Sequence, residues 1–346
     1  MPDGRGAGRD RRGAERSWGP WTVVKLDALS GYLPAFTQAS QRAKRTMFID
    51  VLAGSTENTA RDTGEAVIGS AERALQVSPP FSRVVLCERD ERKVAALKEH
   101  LAQHHPDRDV KVLHGDCNEK VPEYLAALAA EEPHPVWRWA VTFALVDQYS
   151  ADVRWNTLEA LANFRIGDRK TELWIYFGDS FFPRGLSTGP AYEARMDDLF
   201  GGDPDWHVLH RGWRAGEVPG SEFSKELVNL MRWKLQHDLG YATTIPLKMV
   251  RPSGHGLYHM IFATDHDVGE RIMRHVLQGA EKELEGMVAR QKMRTVLERQ
   301  DRHAGIEGLS GLNDWAIDTA EPRGPGQLLL LDPPRPPWQP AAASGD

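Results

Sequence analysis

Apolar residues along this chain follow two alternating rhythms. Five short runs, Met47–Ala53, Arg83–Glu88, Val110–His114, Val141–Val146 and Leu173–Phe177, are nearly continuous in apolar, often β-branched residues. Such runs predict strands covered on both faces. Between them the apolar positions recur with helical spacing, over Arg92–Gln103, Val121–Ala130 and Val153–Phe164, with a further helix opening near Gly69-Ser70 after a polar stretch. Ahead of the first run, Leu26, Leu29, Leu33 and Phe36 form one stripe of a helix over Lys25–Gln38. Strands that each return through a helix must cross over right-handedly, so the pattern predicts a doubly wound, mainly parallel α/β sheet of the Rossmann type.

From about Pro190 the rhythm changes. Helical stretches at Tyr192–Phe200 and Phe223–Leu239 precede two extended runs, Thr244–Val250 and Tyr258–Thr264. The linker Arg251–Gly256 carries Gly, Pro and Ser, so the two runs read as an antiparallel hairpin. A long, charged helix is expected from about Val268 to Gln300. The hairpin fits two roles that periodicity does not separate: a reversed pair closing the sheet, or the wing of a winged helix. The chain accordingly divides into an arm over 1–20, an α/β domain over 21–188, a smaller α+β region over 189–300 and a tail over 301–346.

Composition narrows the function classes. The arm holds Arg5, Arg9, Arg11, Arg12 and Arg16 among glycines, with too few apolar side chains to offset the entropy of ordering, and is expected to be disordered. The tail, with Pro333, Pro334, Pro336, Pro337 and Pro340 after Leu328–Leu331, reads as a loose segment or a polyproline ligand. The formal charge of −6 gives no global attraction to phosphate backbones, so nucleic acid would have to bind a local patch. Two cysteines, Cys87 and Cys117, are too few for a disulfide framework or a four-thiolate zinc site. Neither a signal-type apolar segment nor a run of about 18 uncharged apolar residues occurs, so a cytoplasmic protein without membrane insertion is expected.

Candidate chemistry lies at the carboxyl ends of the expected strands, where open parallel sheets bind ligands. Asp50 sits in the first strand, which runs into Ala53-Gly54-Ser55; Glu88 ends the second, Gly115-Asp116-Cys117 follows the third, and Asp147-Gln148-Tyr149 the fourth. Glu88 is placed to accept two ribose hydroxyls and Asp116 to accept an adenine amino group, while Asp147 and Tyr149 face the position of a transferred group. Gly54 is not followed by the further glycines of a dinucleotide fingerprint, so a pyrophosphate is disfavoured. A rim of carboxylates favours a cationic cofactor instead, for which S-adenosylmethionine is the expectation, held by Asp50, Ala53, Gly54, Glu88, Asp116 and Cys117. No P-loop, zinc-hydrolase helix or serine-nucleophile elbow appears.

In these residues the chain resembles the three-Cys-motif partner protein family (TcmP). Lys25 through Leu33-Pro34-Ala35-Phe36 is similar to the family's opening helix, and Phe48–Ser55 to its cofactor motif. Gly69-Ser70-Ala71, Glu88, Gly115-Asp116-Cys117-Asn118 and Asp147 follow in the family's order. Leu199-Phe200-Gly201 with Trp206, then Tyr258 through Phe262-Ala263-Thr264 to His266, Gly269 and Met273, resemble its C-terminal signature. Thr56 stands where the family has a second motif glycine, and Gln148-Tyr149-Ser150 and Trp174–Gly178 depart from its pattern. The resemblance implies a methyltransferase-like domain, a C-terminal part likened to a winged helix, and a partner with a three-cysteine motif reminiscent of radical S-adenosylmethionine enzymes. Two readings stay open: an enzyme methylating nucleic acid or protein, with Asp147 and Tyr149 holding the acceptor, or a non-catalytic scaffold for that partner.

Overall fold

The computed structural model describes residues 19–55, 57–59, 66–167, 169–304, 310–322 and 327–340. The expected disorder of the arm and the departure from the family motif at Thr56 fall outside these residues, apart from the arm's last two positions.

The strands are β1 (Thr46–Asp50), β2 (Glu57–Thr59), β3 (Ala66–Ile68), β4 (Arg83–Glu88), β5 (Val110–His114), β6 (Val141–Val146), β7 (Glu172–Phe177), β8 (Thr243–Val250) and β9 (Gly256–Thr264). The helices are α1 (Pro20–Ala39), α2 (Ser70–Leu75), α3 (Glu91–His104), α4 (Cys117–Ala129), α5 (Trp155–Ala162), α6 (Phe182–Leu186), α7 (Pro190–Phe200), α8 (Pro204–Arg214), α9 (Gly220–His237), α10 (Asp267–Ala304) and α11 (Ser310–Asp318). All five expected strands are present. The first is shorter than expected, because after Asp50 the backbone leaves the ladder in a turn, with the Ala53 N–H donating to the Cys87 carbonyl.

Seven strands form one sheet in the order β5-β4-β1-β6-β7-β9-β8. β1, β4, β5, β6 and β7 are parallel, β9 runs antiparallel beside β7, and β8 pairs antiparallel with β9. The last strand is thus inserted, reversed, between the fifth and sixth large-sheet strands, which is the sheet arrangement of class I methyltransferases. The hairpin therefore closes the sheet. β2 and β3 make a separate two-stranded ribbon within the polar stretch before α2.

Strand residues alternate faces, and both faces are apolar. Met47, Ile49, Val85, Ala144, Ile175 and Ile261 join one core; Phe48, Val84, Leu86, Phe143, Trp174 and Phe262 join the other. The first is covered by α4, α5 and α6–α9, the second by α1, α2, α3 and α10. The signature around Leu199-Phe200-Gly201 has a physical origin on the first face. Gly201 ends α7 with φ 65°, and a Cβ there would lie 2.9 Å from the Trp155 ring.

The Pro-rich tail departs from the expectation of a loose segment. Residues 327–340 lie along the outer edge of β8 and across α9. The Lys248 N–H donates to the Leu328 carbonyl at 2.7 Å and the Leu330 N–H to the Pro246 carbonyl at 3.1 Å. Farther on, Arg335 pairs with Glu226, and Trp338 packs over Gly212. β8 would otherwise present an open edge, and an edge strand gains from a partner that satisfies its backbone groups.

Candidate functional site

The parallel order reverses between β1 and its neighbours β4 and β6, so the topological switch point lies at the carboxyl end of β1. A cleft of about 380 Å³ opens there, lined by Val51, Leu52, Glu88, Asp116, Cys117 and Asn118 on one side and by Asp152, Arg154, Arg195 and Asp198 on the other. That volume lies within the range of small-molecule sites.

Glu88 is held by backbone. Its Oε2 accepts from the Gly54 N–H at 3.0 Å, and Oε1 accepts from the Arg89 and Asp90 N–H groups, both at 2.8 Å. A carboxylate has about four acceptor positions, so one is left facing the cleft. Gly54 reaches Glu88 in a left-handed conformation, φ 66°, which suits glycine.

Asp50 lies beneath the cleft, fully buried. Its Oδ2 accepts from the Ser70 hydroxyl at 2.6 Å and its Oδ1 from the Leu52 N–H at 3.1 Å. Burial pushes its carboxyl up to about 6, against the lowering effect of these two bonds. Its role is to anchor α2 and the turn after β1. Asp116 is the N-cap of α4, its Oδ1 accepting from the Asn118 N–H at 2.9 Å. It lines the cleft while fulfilling that structural duty. Cys117 is buried in the same wall, and burial raises its thiol to about 12, so it is protonated at neutral pH and no nucleophile. Ala53 is buried behind Gly54.

The carboxyl end of β6 is organised differently from the expectation. Asp147 forms an ion pair with Lys25 of α1. Gln148 is buried and directed into its own loop: its Oε1 accepts from the Asp152 and Val153 N–H groups, each at 2.9 Å, and its Nε2 donates to the Tyr176 carbonyl at 3.1 Å. Tyr149 is 83% exposed. The three consecutive residues thus have three environments, and the structure does not bring Tyr149 into the cleft wall beside Glu88 and Asp116.

Sequence reasoning missed several groups. Asn118 joins the cleft to the β6 loop, donating to the Asp152 carbonyl at 2.8 Å and accepting from the Arg154 N–H at 2.8 Å and the Thr157 hydroxyl at 2.9 Å. Its place directly after Gly115-Asp116-Cys117 was the available signal. Arg154 and Arg195 come from the segment before α5 and from α7, and are paired with Asp198 at 3.2 Å and Asp152 at 3.9 Å. Four carboxylates and three guanidiniums therefore line the cleft, once Arg89 is included. Farther along the same sheet edge, buried Asp179 and His259 meet at 2.8 Å, and the Tyr176 and Tyr258 rings lie 4.3 Å apart between centroids. Burial, followed by the charge of Asp147, raises the phenols of Tyr176 and Tyr258. Among the described residues no helix is long and apolar enough to cross a membrane.

No family model matches the chain, and no curated protein matches its sequence. Among solved structures, the Legionella pneumophila protein LPL1258 of family DUF519 is similar at 12% identity, over 76% of this chain and 92% of its own, with a TM-score of 0.45. A proposed caffeoyl-CoA O-methyltransferase from Staphylococcus aureus is similar at 11% identity, over 70% of this chain and 83% of its own, with a TM-score of 0.37. TYW2 from M. jannaschii, in complex with AdoMet, is similar at 9% identity, over 68% of this chain and 74% of its own, with a TM-score of 0.30. The methyltransferase-like fold class rests on the strand order and orientation of the sheet itself.

Proposed function

We propose that this chain binds S-adenosylmethionine across the carboxyl ends of β1, β4 and β5 and serves a methyl-transfer reaction. The observation that carries the reading is the coincidence of a cleft with the switch point of a sheet of this order, with Glu88 at the tip of the second strand. The chain's own residues supply positioning and charge. Glu88 accepts a ribose hydroxyl at its remaining acceptor position, the Gly54 N–H holds that carboxylate in place, and four carboxylates against three guanidiniums on the rim favour a cation over a pyrophosphate. Asn118 and Gln148 hold the opposite wall in place. The cofactor supplies an electrophilic methyl group when bound. Methyl transfer then depends mainly on holding the acceptor in line with that group, at the side where Asp147 ends β6.

A three-cysteine radical-SAM-like partner belongs to this proposal through the family resemblance, and a nucleic-acid or protein acceptor and a cytoplasmic location belong to it as expectations read from the sequence. A second reading, a non-catalytic scaffold, is favoured by the engagement of Asp147 with Lys25 and by the exposure of Tyr149. Calorimetric titration with S-adenosylmethionine and its demethylated product tests cofactor binding, with dissociation constants of about micromolar expected. Absence of heat for both at millimolar concentration would remove the proposal. Transfer of a labelled methyl group to nucleic acid or protein acceptors, with and without a co-purified partner, then separates enzyme from scaffold.

A further inference from the structure

A second chemical cluster lies outside the cleft. Glu72 belongs to α2, and His100 lies on α3 with His105 as the residue that ends it. None of the three lines the cleft. The His100 Nε2 is 2.8 Å from Glu72 Oε2, and the His105 Nε2 is 3.0 Å from both carboxylate oxygens. Glu72 is buried, and its Oε1 also accepts from the Gln76 side chain at 2.7 Å. Two imidazole nitrogens from one helix end therefore converge on one carboxylate from another element, with all three donor atoms within 4.8 Å of one another.

We propose that Glu72, His100 and His105 bind one divalent transition-metal ion of zinc's chemistry, tying α2 to α3. Zinc takes imidazole nitrogen at about 2.0–2.1 Å and carboxylate oxygen at about 2.0–2.2 Å, so two donors on one tetrahedral ion stand roughly 3.2–3.6 Å apart. The two histidine–Glu72 separations need to open by only a few tenths of an ångström, and the two histidine nitrogens lie within 4.8 Å of each other. The donor set also selects the ion class. Imidazole with carboxylate suits zinc and its neighbours, whereas an all-oxygen set would suit magnesium or calcium. Both histidines present Nε2, so each imidazole binds in its neutral form with the proton on Nδ1, and the two Nε2 protons move to the other ring nitrogen through solvent.

The consequence is structural. α2 has six residues, too short for helix propensity alone to hold it, yet its Ser70 carries the hydrogen bond to Asp50 beneath the cleft. An ion between Glu72 and α3 fixes that short helix from its other side.

The test uses the full chain, stripped of metal and titrated with Zn²⁺ against a chromophoric chelator at neutral pH. One equivalent is expected to bind at submicromolar concentration and to raise the thermal midpoint. Loss of an outer-shell partner already costs metal sites about 10–100-fold, so His105→Ala and Glu72→Gln are each expected to weaken binding by more than about 100-fold. His237→Ala, on α9, leaves it unchanged. X-ray absorption of the zinc-loaded wild type is expected to show only nitrogen and oxygen ligands with imidazole scattering. This measurement stands even where a variant fails to fold. No binding at micromolar Zn²⁺, undiminished binding in both variants, or sulfur from Cys87 or Cys117 in the shell would overturn the site and leave the three residues a hydrogen-bonded brace.

Discussion

Lys25, on the first helix, is ion-paired with Asp147 at the carboxyl end of β6, across 122 positions of sequence. The Lys25 side chain is 8% exposed and that of Asp147 24%, so each charge depends on the other more than a surface pair does. Removing one partner of a buried pair costs about 3–5 kcal/mol, and the partial exposure of Asp147 lowers the expectation for Lys25→Met to about 2 kcal/mol. Replacing both residues, as Lys25→Met with Asp147→Leu, is expected to recover most of that loss. Urea unfolding of the two single variants and the double variant measures the coupling. Additive losses would mean that the pair is energetically idle.

Glu88 bears two burdens, the ribose contact proposed for it and three backbone N–H groups. Truncation leaves those donors without their acceptor, at about 1–3 kcal/mol for each that stays buried. Glu88→Ala is therefore expected to lower the thermal midpoint and also to weaken S-adenosylmethionine binding by about tenfold to a hundredfold. Calorimetry alongside thermal unfolding reads both effects. Asp116→Ala is the comparison: it removes the α4 cap, for about 1 kcal/mol of stability, and any additional loss of affinity reports contact with the ligand.

The strands were legible because both faces of the sheet are covered, which makes runs such as Val141–Val146 continuously apolar. The acids at the strand ends were legible as positions, since chain direction fixes which end of a parallel strand faces the cleft. Their roles were not. Asp50, Glu88 and Asp116 are alike in sequence, yet one anchors a helix through Ser70, one gathers three N–H groups and one caps a helix. These differences depend on neighbours that folding supplies. Lys25 gave no sign of its partner, because a charge at the border of an apolar stripe has the same pattern whether it meets solvent or a distant carboxylate. Gln148 looked like a departure from a motif; in the structure its amide fixes the loop leading to Asp152 and Arg154.

A buried acid at the other end of β7 sets a pH dependence. Glu172 accepts from Tyr32 and, at 2.9 Å, from the Thr264 hydroxyl, and burial pushes its carboxyl up to about 7 from 4.5. The fold thus favours the protonated form. Its contribution is fully present below the unfolded value near 4.5 and is lost as pH rises through the folded value, because the native state binds more protons in that window. Glu172→Gln, which stays neutral, is expected to gain stability relative to wild type as pH rises from about 5 to 8. Thermal midpoints of both proteins across that range check the sign, and a constant difference would place the proton elsewhere. Gly269→Ala probes the same pocket, since a Cβ there would lie 1.9 Å from the Glu172 Oε1.

The tail segment 327–340 yields the last expectation. It gives β8 an outer partner through Leu328 and Leu330, accepts from buried Arg232 at the Asp332 carbonyl, and exchanges two hydrogen bonds between Arg335 and Asn229 at 2.9 and 3.0 Å. Burial lowers the Arg232 guanidinium to about 10, with Asp332 opposing that shift, so removing the segment deprives a desolvated cation of an acceptor and opens an apolar edge. A chain ending at residue 326 is expected to lose several kcal/mol, beginning with about 1.5–3 kcal/mol for the charged hydrogen bond alone, and to associate through the uncovered edge of β8. Thermal unfolding and light scattering of the shortened chain measure the two effects. Trp338→Ala separates them, because it removes the packing over Gly212 while leaving the backbone pairing at Leu328–Leu330 in place. A shortened chain as stable and as monodisperse as the full one would mean that the segment is the loose tail its proline content suggests.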